Sequence, residues 1–308
     1  MSSAIQIRMG GYGPESTGFS RALKLIGNEI TSALGDAVDI KYVWNIMDLG
    51  YRAEDILWLV EHGLLTLGYQ SSSYLTARVP ELGIADLPFL FASTQAARAA
   101  MDGALGGALA GAIEARTGFR ILGWFENGFR QISNRLRPVR RPADLAGMRI
   151  RVLPSKVQAR TFELLGAVPM PMDLTEAIAM IKAGEIDAQE NPLSNTVTYR
   201  VHRFHRFHSL TNHFYISRPV FIHRAAFDAW PGDVQAAMRS AVAKAIAFQR
   251  DLHVREEEDA HAAIASEGCE IADLAPQQHA EFAACVAPLR DEVARTFGEK
   301  LLGLAAVG

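Results

Sequence analysis

The sequence predicts an α/β fold of two domains, and three observations carry that prediction. Short strand-like runs alternate with helix-length amphipathic segments, the pattern of βαβ units around a mostly parallel sheet. The rhythm stops at a basic connector, Arg135-Leu136-Arg137-Pro138-Val139-Arg140-Arg141, closed by Pro142, and then restarts. Finally, the stretch from Gly232 to about Ser266 has no proline and no internal glycine. As one helix it would extend roughly 50 Å at 1.5 Å per residue. That exceeds a domain of this size, so the helix is expected to serve both. The 308 residues fit two domains of about 100–200 each.

The elements follow in order. Ile5–Met9 is a strand, and Gly10-Gly11-Tyr12-Gly13-Pro14 a turn-rich break. Ser16 or Thr17 caps a helix to about Leu34, with Phe19, Leu23, Ile26 and Ile30 at helical spacing. A strand at 38–43, a helix at 53–62 and a strand at 64–69 come next. Beyond Leu87-Pro88-Phe89-Leu90-Phe91, an alanine-rich helix is predicted over 94–115 and a strand over 120–125. The second domain begins with a strand at 148–152, followed by a helix to 165, a strand at 168–170, a helix over 175–183 and a strand at 186–189. One helix over 276–297 closes the chain.

Composition excludes several function classes. The chain is 49% hydrophobic and 21% charged, which is that of a packed globular protein. Thirty-one basic against 34 acidic side chains leave a net charge of -3, so no positive field draws nucleic acid or an anionic membrane. No run of about 18 apolar residues is present to span a bilayer. Cys269 and Cys285 are too few for a disulfide scaffold and wrongly spaced for zinc, and whether they pair stays open. No signal peptide is visible at Met1-Ser2-Ser3, so the chain is either cytoplasmic or a mature form.

Catalytic motifs are equally scarce. Gly11-x-Gly13 follows a strand, but Ser16 stands where a dinucleotide fingerprint needs its third glycine. Phosphate-loop, zinc-protease and serine-hydrolase signatures are missing. His202, His205 and His208 recur every three residues, yet Arg203 and Arg206 among them disfavour a metal cation. No cofactor is expected. In Met148-Arg149-Ile150-Arg151-Val152 the arginines alternate with apolar residues, which places both on one strand face. That face is either solvated or aimed into a cleft, where a guanidinium fork can grip a carboxylate through two parallel bonds.

A resemblance emerges from these residues. Asn127-Gly128-Phe129-Arg130-Gln131, Leu145-Ala146-Gly147-Met148-Arg149-Ile150-Arg151-Val152, and Lys182-Ala183-Gly184-Glu185-Ile186-Asp187-Ala188-Gln189-Glu190-Asn191-Pro192 resemble the DctP-type substrate-binding subunits of tripartite ATP-independent periplasmic (TRAP) transporters. Pro169-Met170-Pro171-Met172, Thr175-Glu176-Ala177 and Thr211-Asn212-His213 extend the likeness from about Ile5 to the last helix.

The resemblance implies a two-domain periplasmic-binding-protein-like fold with a hinge, a cleft and a long C-terminal helix spanning both domains. The implied lobes are 1–126 with about 212–250, and 127–211 with about 251–308, the ligand lying between them. It implies a non-enzymatic protein that captures a small organic acid anion by domain closure and delivers it to membrane permease subunits. A monomer in the periplasm is expected, although the leader is not in the sequence. By the same resemblance Arg151 pairs with the ligand carboxylate, Arg130 lies near it, and Asn191 donates to the same group. Leu174 stands where the family often has an aromatic, and Ser71 and Glu15 fall in segments lining the other wall.

By the same resemblance, Arg218 lies in a stretch where family members often carry tyrosine or another polar residue toward the pocket. It either faces the cleft, favouring a dicarboxylate, or pairs with a surface acid. Trp44, Trp124, Phe125 and Tyr215 are candidate aromatic walls. Rival readings are an α/β enzyme acting on a carboxylate substrate and a stand-alone ligand-sensing module.

Overall fold

The computed structural model describes residues 4–307. Strand β1 (Ile5–Gly10) leads to helix α1 (Gly18–Leu34), whose first turn is closed by the Thr17 hydroxyl accepting from the Ser20 N–H. Phe19, Leu23, Ile26 and Ile30 are buried on that helix, as their spacing predicted. Then come β2 (Val38–Val43), α2 (Asp55–Glu61), β3 (Leu67–Tyr69), α3 (Thr94–Asp102), α4 (Ala104–Arg116), β4 (Phe119–Phe129) and β5 (Gln131–Asn134). The restarted rhythm is β6 (Arg149–Val152), α5 (Lys156–Leu164), β7 (Val168–Pro171), α6 (Leu174–Ala183), β8 (Ala188–Asn191) and α7 (Leu193–Thr198). The chain ends with β9 (Phe207–Leu210), β10 (Tyr215–His223), α8 (Arg224–Ala229), α9 (Gly232–Ser266), β11 (Glu270–Asp273), α10 (Pro276–Val286), α11 (Pro288–Phe297) and α12 (Glu299–Gly303).

Two expected helices are each two. The alanine-rich helix breaks at Gly103, whose extended backbone ends α3 before α4 begins. The closing helix breaks at Pro288, which lacks the N–H a continuous helix requires. The long helix runs from Gly232 to Ser266 as predicted.

The strands form two sheets, ordered β2-β1-β3-β10-β4 and β11-β9-β5-β8-β6-β7. Each is largely parallel with an antiparallel intruder: β10 runs against β3, and β5 runs against both β8 and β9. In the second sheet Ile132, Ile150, Val152 and Ala188 join Phe162 and Phe214 in one buried cluster. The opposite face therefore carries Arg151, Gln189, Asn191 and Gln131, because side chains alternate and paired residues share a face.

By contacts the chain divides into two units. The first takes the chain up to Ser71, Leu109–Glu126 and Ser217–Val254; the second takes Ser72–Ala108, Asn127–Ile216 and everything from Arg255. Compared with the lobes expected from sequence, Ser72–Ala108 falls in the second unit. Helix α9 supplies both. In the first unit Gln249 brackets β4, its amide bonding the Glu126 N–H and C=O, each at 2.8 Å. In the second, Glu257 accepts from the Leu193 and Ser194 N–H groups and so caps α7.

Candidate functional site

In the second unit, register brings three of the predicted residues to one end of the sheet's inner strands. β6 and β8 are parallel with Arg151 opposite Gln189, while β5 runs against β8 with Gln131 opposite Asn191. The ends of β6 and β8 that carry Arg151 and Asn191 therefore meet the start of β5, which Arg130 immediately precedes.

Arg151 is 1% exposed and has no carboxylate within salt-bridge distance among the described residues. Its acceptors are neutral. Nε and Nη2 donate to the Met172 carbonyl at 3.3 and 3.0 Å, and Nη2 also donates to the Tyr74 hydroxyl at 3.0 Å. The same hydroxyl accepts from the Leu174 N–H at 3.0 Å, so one phenol links the arginine to the first residue of α6. Nη1 has no partner among the described residues. A buried guanidinium held only by neutral acceptors keeps an uncompensated positive charge, which favours an incoming anion.

Arg130 is equally buried but differently placed. Its fork grips Glu190, itself wholly buried, through Nε and through Nη2 at 2.8 Å, and Nη2 also meets the Glu190 carbonyl at 2.7 Å. His213 Nε2 lies 3.8 Å from the same carboxylate. Burial works to raise the Glu190 carboxyl, yet Arg130 and His213 outweigh it and hold the group below its ordinary value. Glu190 also alternates onto the face of Ile132 and Val152, away from Arg151. Only Nη1 of Arg130 is without a partner among the described residues.

Asn191 is 5% exposed and belongs to an amide network. It donates to Gln189 at 3.4 Å and accepts from Asn195 at 3.1 Å, and Asn195 also donates to Asn127 at 3.0 Å. The Asn127 amide nitrogen is buried without a hydrogen-bond partner. Leu174 is buried at the start of α6, where Asp173 accepts from the Thr175 N–H. Tyr215 packs edge-on against Phe91 and Phe129, at 5.9 and 5.3 Å between ring centres.

The first unit holds a different arginine. Arg218 on β10 is 4% exposed, so pairing with a surface acid, the alternative weighed from sequence, does not occur. It lies 4.0 Å over the Phe19 ring and 5.2 and 5.8 Å from the Tyr12 and Tyr69 rings. Its Nε is buried without a hydrogen-bond partner, and no carboxylate pairs with it among the described residues. Aromatic faces attract a cation but replace little of its lost hydration. Ser71, also in this unit, is 2% exposed with an unpartnered hydroxyl. Glu15, also in this unit, is exposed and ion-paired with Lys24 at 3.2 Å. Of the other aromatics, Trp124 and Phe125 are buried and Trp44 stacks on Tyr42.

No histidine, cysteine and carboxylate grouping fit for a metal occurs among the described residues. Burial explains the 202–208 run instead: it pushes His205 down to about 3 and His208 to about 4, so both rings are neutral. Cys269 and Cys285 are free thiols that donate to the backbone carbonyls of His202 and Leu164. Gly11 has a packing reason, since a Cβ there would lie 2.9 Å from both the Trp44 carbonyl and the Tyr69 hydroxyl. Sequence reasoning missed Tyr74, which stands 77 residues from Arg151 with no local pattern to mark it.

Comparison with known proteins decides the family. The profile of the bacterial extracellular solute-binding proteins, family 7 (DctP), matches residues 47–296. The chain belongs to this family. Its members are solute-binding components of TRAP transporters, not enzymes. A solute-binding protein of Verminephrobacter eiseniae is 30% identical over 281 residues, covering 91% of this chain and 82% of its own. The 2,3-diketo-L-gulonate-binding periplasmic protein of Escherichia coli is 31% identical over 207 residues, 67% of this chain and 63% of that protein. The sugar acid binding protein of Advenella mimigardefordensis, solved with galactonate, matches with a TM-score of 0.93 at 25% identity over 99% of each chain. No described helix of this DctP-family protein is long and apolar enough to cross a membrane.

Proposed function

We propose that this solute-binding protein captures a small organic acid anion in the periplasm through Arg151 and hands it to the membrane subunits of a TRAP transporter. The observation that carries the proposal is the buried, carboxylate-free guanidinium of Arg151. That design suits anion capture, since an arginine held out of water gains most when its anion arrives. Each charge-assisted hydrogen bond contributes about 1.5–3 kcal/mol. Two or three on one carboxylate, with Asn191 and Arg130 beside it, support an affinity near micromolar, about -8 kcal/mol. The relatives' ligands, a diketogulonate and a galactonate, are acids of this size.

Calorimetry of wild type and Arg151→Ala against a panel of aldonates, keto acids and C4–C6 diacids tests this reading. We expect the variant to lose about 100-fold or more in affinity, about 2.7 kcal/mol, for whichever acid binds best. An Arg151→Ala protein that keeps its affinity removes Arg151 from the site.

Arg218 supports a narrower ligand class. A second buried cation that has neither hydrogen bond nor carboxylate among the described residues suits a ligand bearing a second anionic group. In a thermal-shift panel, diacids are expected to stabilise wild type more than chain-matched monoacids, and Arg218→Gln to erase the difference. A wild type stabilised more by the monoacids would rule out the diacid preference.

A further inference from the structure

We propose that Asp86 is a positioning residue, the buried anchor that holds the Tyr74 hydroxyl against Arg151. Tyr74 sits in a single short helical turn, Ser72–Leu75. Side chains tie that turn to its surroundings. The Ser73 hydroxyl donates to Asp86 Oδ1 at 2.6 Å. The Gln158 amide, on α5, donates to the Ser73 hydroxyl at 3.0 Å and to Asp86 Oδ1 at 3.2 Å. Thr76 donates to the Ser73 carbonyl at 2.8 Å and to the Pro154 carbonyl at 3.1 Å. Pro154 and Gln158 lie three and seven residues after Arg151 in the chain. The network therefore ties the turn that carries Tyr74 to the segment that carries the arginine.

Asp86 is the only ionisable group among these anchors. It is wholly buried, and no cation lies within salt-bridge distance among the described residues. Burial pushes its carboxyl up to about 6, against hydrogen bonds from Ser155, Ser73 and Gln158, and the nearby Glu190 charge adds to the rise. An unpaired buried acid is costly, and what it provides is an acceptor stronger than any neutral group for Ser73 and Gln158. Among the described residues Arg151 has two acceptors, the Met172 carbonyl and Tyr74, so a displaced phenol would leave its fork half-held.

The consequence for ligand affinity rests on Arg151 being the anion's partner; the positioning itself does not. The test uses the full chain without ligand, carrying 13Cζ-labelled tyrosine, with the Tyr74 resonance assigned from its loss in Tyr74→Phe. In Asp86→Ala we expect the Tyr74 resonance to shift or broaden and the Arg151 Nε–H to exchange with water at least tenfold faster. Tyr12, Tyr69 and Tyr215 should stay in place. Asp86→Asn, which keeps an acceptor, should restore the wild-type Tyr74 position. Ser73→Ala removes the same link and decides the matter if Asp86→Ala does not fold. An unmoved Tyr74 resonance, or a change spread over all the tyrosines, overturns the proposal. If Tyr74 responds as expected while Arg151→Ala retains acid binding, the anion reading fails and the positioning role stands.

Discussion

Three buried arginines in one chain are kept in three different ways, and the difference predicts what each substitution does. Arg130 has a carboxylate, Arg151 a carbonyl and a phenol, and Arg218 only aromatic faces. Arg130→Ala would strand Glu190, a wholly buried carboxylate, and removing one partner of such a pair costs about 3–5 kcal/mol. Arg151→Ala strands no charge. Urea unfolding should therefore show Arg130→Ala strongly destabilised and Arg151→Ala within about 1 kcal/mol of wild type; equal midpoints for the two would contradict this account. Sequence motifs flagged all three arginines. They could not tell that Arg130 is neutralised, because Glu190 lies 60 residues away and no local pattern pairs them.

At the scale of elements, apolar periodicity made the long pieces legible. The α1 stripe and the uninterrupted α9 were both readable, the first from spacing and the second from the absence of breakers. The alternation in β6 correctly puts Arg149 and Arg151 on one face, but period sets the face and not the depth. Arg149 is ion-paired to Asp187 with its side chain 44% exposed, while Arg151 is sealed. Strands β5 and β8 were harder to delimit. Gln131-Ile132-Ser133-Asn134 and Ala188-Gln189-Glu190-Asn191 are buried throughout yet mostly polar, so the usual apolar signal is missing. Most of their polar groups, the Asn134 amide nitrogen excepted, are satisfied across the sheet and by side-chain networks, which a single sequence does not display.

For the molecule as a whole, buried titratable groups set how it meets acid. His205 and His208 titrate near 3 and 4 when folded, against about 6.5 unfolded. Their contribution to stability is complete above about pH 6.5 and is lost as pH falls toward 4. Asp86 has the opposite sign: its folded value near 6 exceeds the unfolded one, so its contribution is complete below about pH 4 and is lost as pH rises through 6. The two histidine shifts together exceed that of Asp86. Stability should therefore decline from pH 6.5 to 4.5, and less steeply in His205→Gln; a urea midpoint that climbs on acidification would reverse the ranking.

The division of the chain has one more consequence. It passes between the units after Ser71, Ala108, Glu126, Ile216 and Val254, so neither unit is a contiguous stretch. During synthesis, the first unit lacks its last segment until Val254 has emerged, and the second waits for the C-terminus. No fragment cut at a single point would release one intact half.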